Sequence, residues 1–384
     1  MEKWVRANYQ PNLPEGKDGR KVTACGEHLA LARAAGREGM VLLKNEGNLL
    51  PFQKGARLAL FGKGVFDYVK GGGGSGDVTV SHVRNLYDGL KEEKGLAEIY
   101  EPLADFYRKN VEAQYAEGAV PGMTVEPALP ADLMGGARAF TDTAVLVISR
   151  FSGEGWDRKS VHYEGQVSGE IHQSELSEKI FQNSDFCLTN EEAALAEQVK
   201  KAFPHVAVVL NVGGMVDTSW FAKDPGFPAV LLAWQGGMEG GLAMADLLMG
   251  KASPSGKLSD TFAGSLDDYP STANFHESPE YVEYTDDIYV GYRYFETING
   301  ASEKVNYPFG FGLSYTEFSI TLLGCTEKEG TIAAGVLVKN TGACAGKEVV
   351  QLYYGAPQGL LGKPARVLAA FEKTRELKPG EEQA

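Results

Sequence analysis

The four cysteines, Cys25, Cys187, Cys325 and Cys344, include no close pair. That excludes a dense disulfide framework and a cysteine-rich zinc site, and reads all four as free thiols. The histidines His28, His82, His162, His172, His205 and His276 contain no pair at metal-ligand spacing on a helix, so no metal site is expected. No stretch reaches the roughly 18 uninterrupted apolar residues that span a bilayer. The opening residues, Met1 to Arg6, lack the apolar segment of a secretory signal, and a cytoplasmic protein without membrane contact is expected. Positive charge is in deficit: 37 Lys and Arg against 51 Asp and Glu give a net charge of -14, the wrong sign for attracting nucleic acid or anionic lipid. The phosphate-loop pattern G-x-x-x-x-G-K-[ST] is missing, as is any repeat at solenoid or propeller period.

What remains is a chain of 384 residues, long enough for two domains with separate cores. Hydrophobic content of 43% against 23% charged excludes wholesale disorder. Four apolar runs stand out: Arg57 to Phe61, Thr143 to Ile148, Val206 to Val212 and Pro228 to Trp234. Each runs out into glycine or a glycine-punctuated loop, and continuous β-branched runs of this kind predict parallel strands buried on both faces. Between the second and third, Thr189 to Glu192 forms a capping box, and Leu195, Val199 and Phe203 follow at helical spacing. Met238, Leu242, Ala245 and Met249 repeat that spacing after the fourth. The alternation predicts an α/β fold, a mostly parallel sheet sandwiched by helices.

Open α/β sheets place chemistry at the carboxyl ends of their strands. Two loops there carry the candidate site. The first, Ser149 to Arg158, holds Glu154 between two glycines, a candidate acid or base. Trp156 beside it offers a stacking face for a sugar ring, and Arg158 follows. The competing readings are a solvated carboxylate, a core tryptophan and a structural ion pair. The second loop, Gly71 to Asp77, presents Gly74, Ser75 and Gly76. A phosphate cradle, a hydrogen bond from Ser75 to a ligand hydroxyl and a plain surface linker all fit such a loop.

After about residue 264 the texture changes. Asp287 to Phe295 and Tyr307 to Gly312 are aromatic and Gly/Pro-rich without helical periodicity, an ordered linker packed on a neighbour. From Phe318 short strand patterns follow one another through Ile332 to Val338, Glu348 to Tyr354 and Val367 to Phe371. They predict an all-β sandwich of the fibronectin type III kind, incomplete because only four or five strands fit where about seven are needed.

In this order and spacing the segments resemble glycoside hydrolase family 3, which includes many β-glucosidases. The resemblance rests on Val41 to Pro51, on Leu210 to Asp217, on Trp234 to Gly241 with Ser253 to Leu258, and on Gly291 to Tyr294 with Pro308 to Tyr315. It divides the chain into a lead-in helix or extension over residues 1–40, an α/β sandwich domain over 41–264, a linker over 265–315 and a truncated fibronectin type III-like domain over 316–384.

The resemblance implies a retaining β-glycosidase acting on terminal β-linked sugars of small glycosides. Its two carboxyl groups would lie about 5–5.5 Å apart. It maps the general acid/base onto Glu154 in the family's Ser-Gly-Glu-Gly loop and a sugar contact onto Ser75, with Gly74 and Gly76 beside it and Trp156 and Arg158 toward the leaving group. No cofactor is implied. The Asp nucleophile belongs to an (α/β)8 barrel, a unit of about 250 residues. Only some 40 residues precede Val41, so the barrel is expected downstream, in the domain-swapped order that some members show, and the isolated chain is expected to be inactive. A homo-oligomer stays open. The other two readings are a catalytically silent carbohydrate-binding or scaffold module, and a nucleotide-binding α/β domain.

Overall fold

The computed structural model describes residues 19, 24–73, 78–153, 179–275, 278 and 280–384. Helix α1 (Gly26–Gly39) leads into strand β1 (Val41–Asn45). Then come β2 (Ala56–Phe61), α2 (Leu86–Lys91), β3 (Ala97–Ile99), α3 (Glu101–Ala116), α4 (Ala131–Phe140) and β4 (Thr143–Arg150). Next are α5 (Asn190–Ala202), β5 (His205–Val212), α6 (Ser219–Ala222), β6 (Ala229–Leu232) and α7 (Gly240–Leu248). These strands make one six-stranded sheet in the order β1-β6-β5-β4-β2-β3, parallel except for β1 at its edge.

The unbroken apolar runs follow from burial on both faces. Along each strand successive side chains alternate sides. Leu58, Leu60, Val145, Val147, Ala207 and Val209 pack toward Leu86 and Leu90 of α2 and Ala243 to Leu248 of α7. Ala59, Phe61, Leu146, Ile148, Val208 and Leu210 pack the opposite way, toward Leu103 and Tyr107 of α3 and Leu195 and Val199 of α5. The capping box at Thr189 forms as the sequence predicts: Thr189 Oγ1 accepts from the Glu192 N–H, and Glu192 accepts in return from the Thr189 N–H.

Three features depart from the sequence expectation. The sheet has six strands rather than four, because β1 and the three-residue β3 join its edges. Strand β4 extends through Ser149 and Arg150, which the sequence had assigned to the loop; both are buried, and they pair with Asn211 and Val212 of β5. The aromatic stretch contains helix α8 (Tyr292–Thr297), too short to display a period. That stretch is also tied back to the α/β layer. Strand β7 (Phe262–Ala263) pairs with β8 (Val305–Tyr307), and Leu313 N donates to Leu42 O at 2.9 Å.

The rest of the chain forms two small antiparallel sheets. One joins β9 (Phe318–Lys328), β10 (Thr331–Asn340) and β13 (Glu382–Gln383), and the other pairs β11 (Val349–Tyr354) with β12 (Val367–Lys373). An open cavity of about 290 Å³ separates them, lined by Val336, Val338, Val350, Leu352 and Phe371 among others. Helix α1 bridges the whole assembly. Its Arg33 pairs with Asp246 and Glu92, at 2.6 and 2.7 Å, while its Glu38 pairs with Lys347 and Lys373 of the β region.

Candidate functional site

Glu154, Trp156 and Arg158, like Gly74, Ser75 and Gly76, lie outside the described residues. The described stems of both loops, however, meet at the carboxyl edge of the sheet. A Cβ added to Gly153 would lie 2.1 Å from the Gly73 nitrogen, and one added to Gly72 would lie 2.9 Å from the Ser152 carbonyl oxygen. Only glycine permits so close an approach of two backbones. The stem leading to Ser75 and the stem leading to Glu154 are therefore packed against each other, so the two loops start from one place.

The neighbouring strand ends complete the platform. Gln235 Nε2, after β6, donates to Ser152 O at 3.2 Å. Asn211, near the end of β5, donates from Nδ2 to the carbonyls of Val69 and Trp234, at 2.9 and 2.7 Å, while its Oδ1 accepts from Val69 N at 2.7 Å. These bonds hold Trp234 in the left-handed region at φ 53°, where bulky residues are rare. Both ends of the glycine loop are fastened too: Gly237 N donates to Lys70 O at 2.8 Å, and Lys70 Nζ to Val78 O at 3.1 Å.

Beneath the platform lies a buried charged layer. Asp67 accepts from Lys63 Nζ at 2.8 Å and from Tyr115 OH, Gly122 N and Thr124 Oγ1, each at 2.7 Å. Burial pushes the Asp67 carboxyl up, but the Lys63 ammonium and these hydrogen bonds outweigh it and hold the group below the usual carboxylate range. Glu126 behaves in the opposite way. Its Oε2 accepts from Lys63 N at 2.8 Å. Burial, with the Glu192 carboxylate nearby, nevertheless pushes it up to about 8. Its Oε1 and the Tyr107 hydroxyl, both buried, influence each other without a well-formed hydrogen bond. Arg150 at the end of β4 pairs with Glu192, whose carboxyl the guanidinium holds low against the opposing effect of burial.

The sequence had assigned no role to Lys63, Asp67, Glu126, Asn211, Gln235 or the Arg150 and Glu192 pair. Asn211 and Arg150 did leave a signal, each being a polar residue inside or at the end of an otherwise apolar strand. Among the described residues no cluster of three or more His, Cys, Asp or Glu side chains could hold a metal ion. No described helix is long and apolar enough to cross a membrane.

An α/β sheet with two glycine-hinged loops at one edge, followed by small antiparallel sheets, matches known proteins. Residues 40–315 match the glycosyl hydrolase family 3 C-terminal domain and residues 348–384 the fibronectin type III-like domain. The chain belongs to glycosyl hydrolase family 3. It is 56% identical to β-glucosidase A of Butyrivibrio fibrisolvens, over 100% of this chain and 48% of that protein. To a β-glucosidase of Ruminococcus albus it is 39% identical, over 93% of this chain and 35% of that one. Among solved structures, a β-glucosidase from Paenibacillus barengoltzii superposes with a TM-score of 0.81 at 40% identity, covering 94% of this chain and 38% of that one. β-Glucosidase 3B from Thermotoga neapolitana, solved in complex with glucose, gives 0.80 at 36% identity, covering 95% and 48%. The chain thus spans about half the length, or less, of the relatives it matches.

Proposed function

We propose that this chain supplies the acid/base half of a retaining β-glucosidase, with Glu154 as the general acid/base. The observation that carries the reading is the contact of Gly72 and Gly73 with Ser152 and Gly153, which starts the Ser75 loop and the Glu154 loop from one point. In this reading Glu154 protonates the glycosidic oxygen as an Asp nucleophile attacks the anomeric carbon; it then takes a proton from the water that releases the sugar. The nucleophile comes from an (α/β)8 barrel of the complete protein, the partner of this chain. Ser75, with Gly74 and Gly76 giving the backbone room, bonds a sugar hydroxyl, while Trp156 and Arg158 face the leaving group. A β-glucoside is the proposed substrate because the relatives carry that activity in their names. Chemistry between two carboxyls calls on no cofactor, and the four free cysteines suit a cytoplasmic location.

The test uses the complete protein and the 384-residue chain side by side. The chain alone should not turn over an aryl β-glucoside, since one carboxyl of a pair cannot form the covalent intermediate. In the complete protein Glu154→Ala should lower turnover of alkyl glucosides by about 10²-fold or more, the scale of general acid catalysis, and spare activated aryl glucosides in the first step. Added azide should restore turnover and yield a β-glycosyl azide. Equal losses on both substrates without azide rescue would refute the assignment.

A further inference from the structure

Arg150 ends β4 four positions before Glu154, a span of at most about 14 Å of extended chain. Its side chain is buried, at 2% exposure. A guanidinium carries five N–H donors in a fixed fork, and here all five are used. Nε donates to Asp185 O at 3.1 Å. Nη1 donates to Ser149 O and to Glu192 Oε1, each at 2.8 Å, and Nη2 to Cys187 O at 2.9 Å and to Glu192 Oε2. The Phe181 ring lies 5.0 Å from the guanidinium carbon. Three pieces of chain thus meet on one group: the end of β4, the segment from Phe181 to Cys187, and the first turn of α5.

Those pieces flank the candidate acid/base in sequence: Ser149 and Arg150, on one arm, precede Glu154, and Asp185, Cys187 and Glu192, on the other arm, follow it. A buried ion pair of this kind adds little net stability over an apolar pair of equal volume. What an apolar pair lacks is donors for three backbone carbonyls from two arms. The Glu192 carboxylate is itself fixed by the Thr189 N–H at 3.0 Å, so the fork is held from both sides.

We propose that Arg150 is a positioning residue for catalysis: its guanidinium ties the arm before Glu154 to the arm after it and so sets where that carboxyl is presented. The proposal rests on Glu154 being the acid/base. Misplacing a reacting group by about 1 Å is enough to cost on the order of 10²-fold in rate.

The experiment compares Arg150→Lys, Arg150→Met with Glu192→Leu, and Glu154→Ala in the complete protein. Lysine keeps the charge but brings three donors for five acceptors; the apolar pair keeps a filled core if lysine fails to fold. Both Arg150 variants should lose at least about 30-fold in kcat/KM on an alkyl β-glucoside and no more than about 3-fold in kcat/KM on an activated aryl β-glucoside, because kcat/KM reports the first step, in which only a poor leaving group needs the proton. Well below the unfolding midpoint, tryptic cutting after Arg158 or Lys159 should also quicken by at least about fivefold, since cutting follows local opening. Equal losses on the two substrates, or unchanged cutting in both Arg150 variants, overturn the positioning role. If Glu154→Ala divides the substrates and the Arg150 variants do not, only the positioning role falls. If Glu154→Ala does not divide them, the acid/base reading is withdrawn and the positioning role with it.

Discussion

Replacing Glu126 by glutamine should make the protein more stable at pH 8 than at pH 5 relative to the parent chain, an effect opposite to the usual loss of a buried charged group. The carboxyl is pushed from 4.5 up to about 8, first by burial and then by the nearby Glu192, against the pull of the Lys63 N–H and ammonium. Between those two values the unfolded chain gives up the proton and the folded chain keeps it. The folded state binds more protons there, so stability from this group is full below about pH 4.5, falls as pH rises and is gone above about pH 8. At about 1.4 kcal/mol per pH unit for one proton, the whole window corresponds to on the order of 5 kcal/mol. Glutamine is neutral throughout, still offers Oε1 to the Lys63 N–H, and can turn its amide toward Tyr107. Urea unfolding of parent and variant, followed by tryptophan fluorescence from pH 4.5 to 8.5, gives the difference directly, and groups common to both cancel. The difference should grow steadily with pH and level off near pH 8. Parallel profiles across the range would show that Glu126 is already ionised in the folded protein and would refute the reasoning.

Gly153→Ala in the complete protein should lower kcat on alkyl β-glucosides by about tenfold or more while leaving the unfolding midpoint within a few degrees, because the new Cβ must push the two loop stems apart at the edge of the fold; a variant with unchanged kinetics would show that the contact does not set the site. Limited proteolysis of the 384-residue chain should remove the region from about residue 316 first and leave a resistant α/β core, since Ile332 and Phe371 stand 69% and 72% exposed on sheets with an open cavity between them. Equal protection of the two regions would contradict this.

The sheet was readable from the sequence because parallel strands buried on both faces become continuous apolar runs. Where that condition fails, legibility fails with it. Strand β1 carries Lys44 and Asn45, polar residues whose side chains are used up on Phe221 O, Asp224 O and Leu50 O, and β3 is three residues long at the far edge. The extension of β4 was hidden for a similar reason: Arg150 reads as a loop residue until Glu192, 42 positions away, is seen to neutralise it. Glu154 was singled out by its flanking glycines and the strand before it, a local signal, and lies outside the described residues. The platform of loop stems and strand ends depends on contacts such as Val69 to Asn211, 142 positions apart, which no local pattern encodes.

Helix α1 also has a consequence for the order in which the molecule can be assembled. It is made before the groups that hold it: Glu92 follows Arg33 by 59 positions, and Asp246, Lys347 and Lys373 follow their partners in the helix by 213 to 335. A helix of 14 residues is marginal by itself in water. On the ribosome it must wait, at about 5–20 residues per second, for tens of seconds or less before α7 exists to receive it, and longer before the β region arrives to meet Glu38. The same helix then fastens the α7 side of the sheet to the β region, so its docking works as a clasp that can close only after both have been made. Changes at Arg33 or Glu38 would be felt as slow or faulty completion of folding.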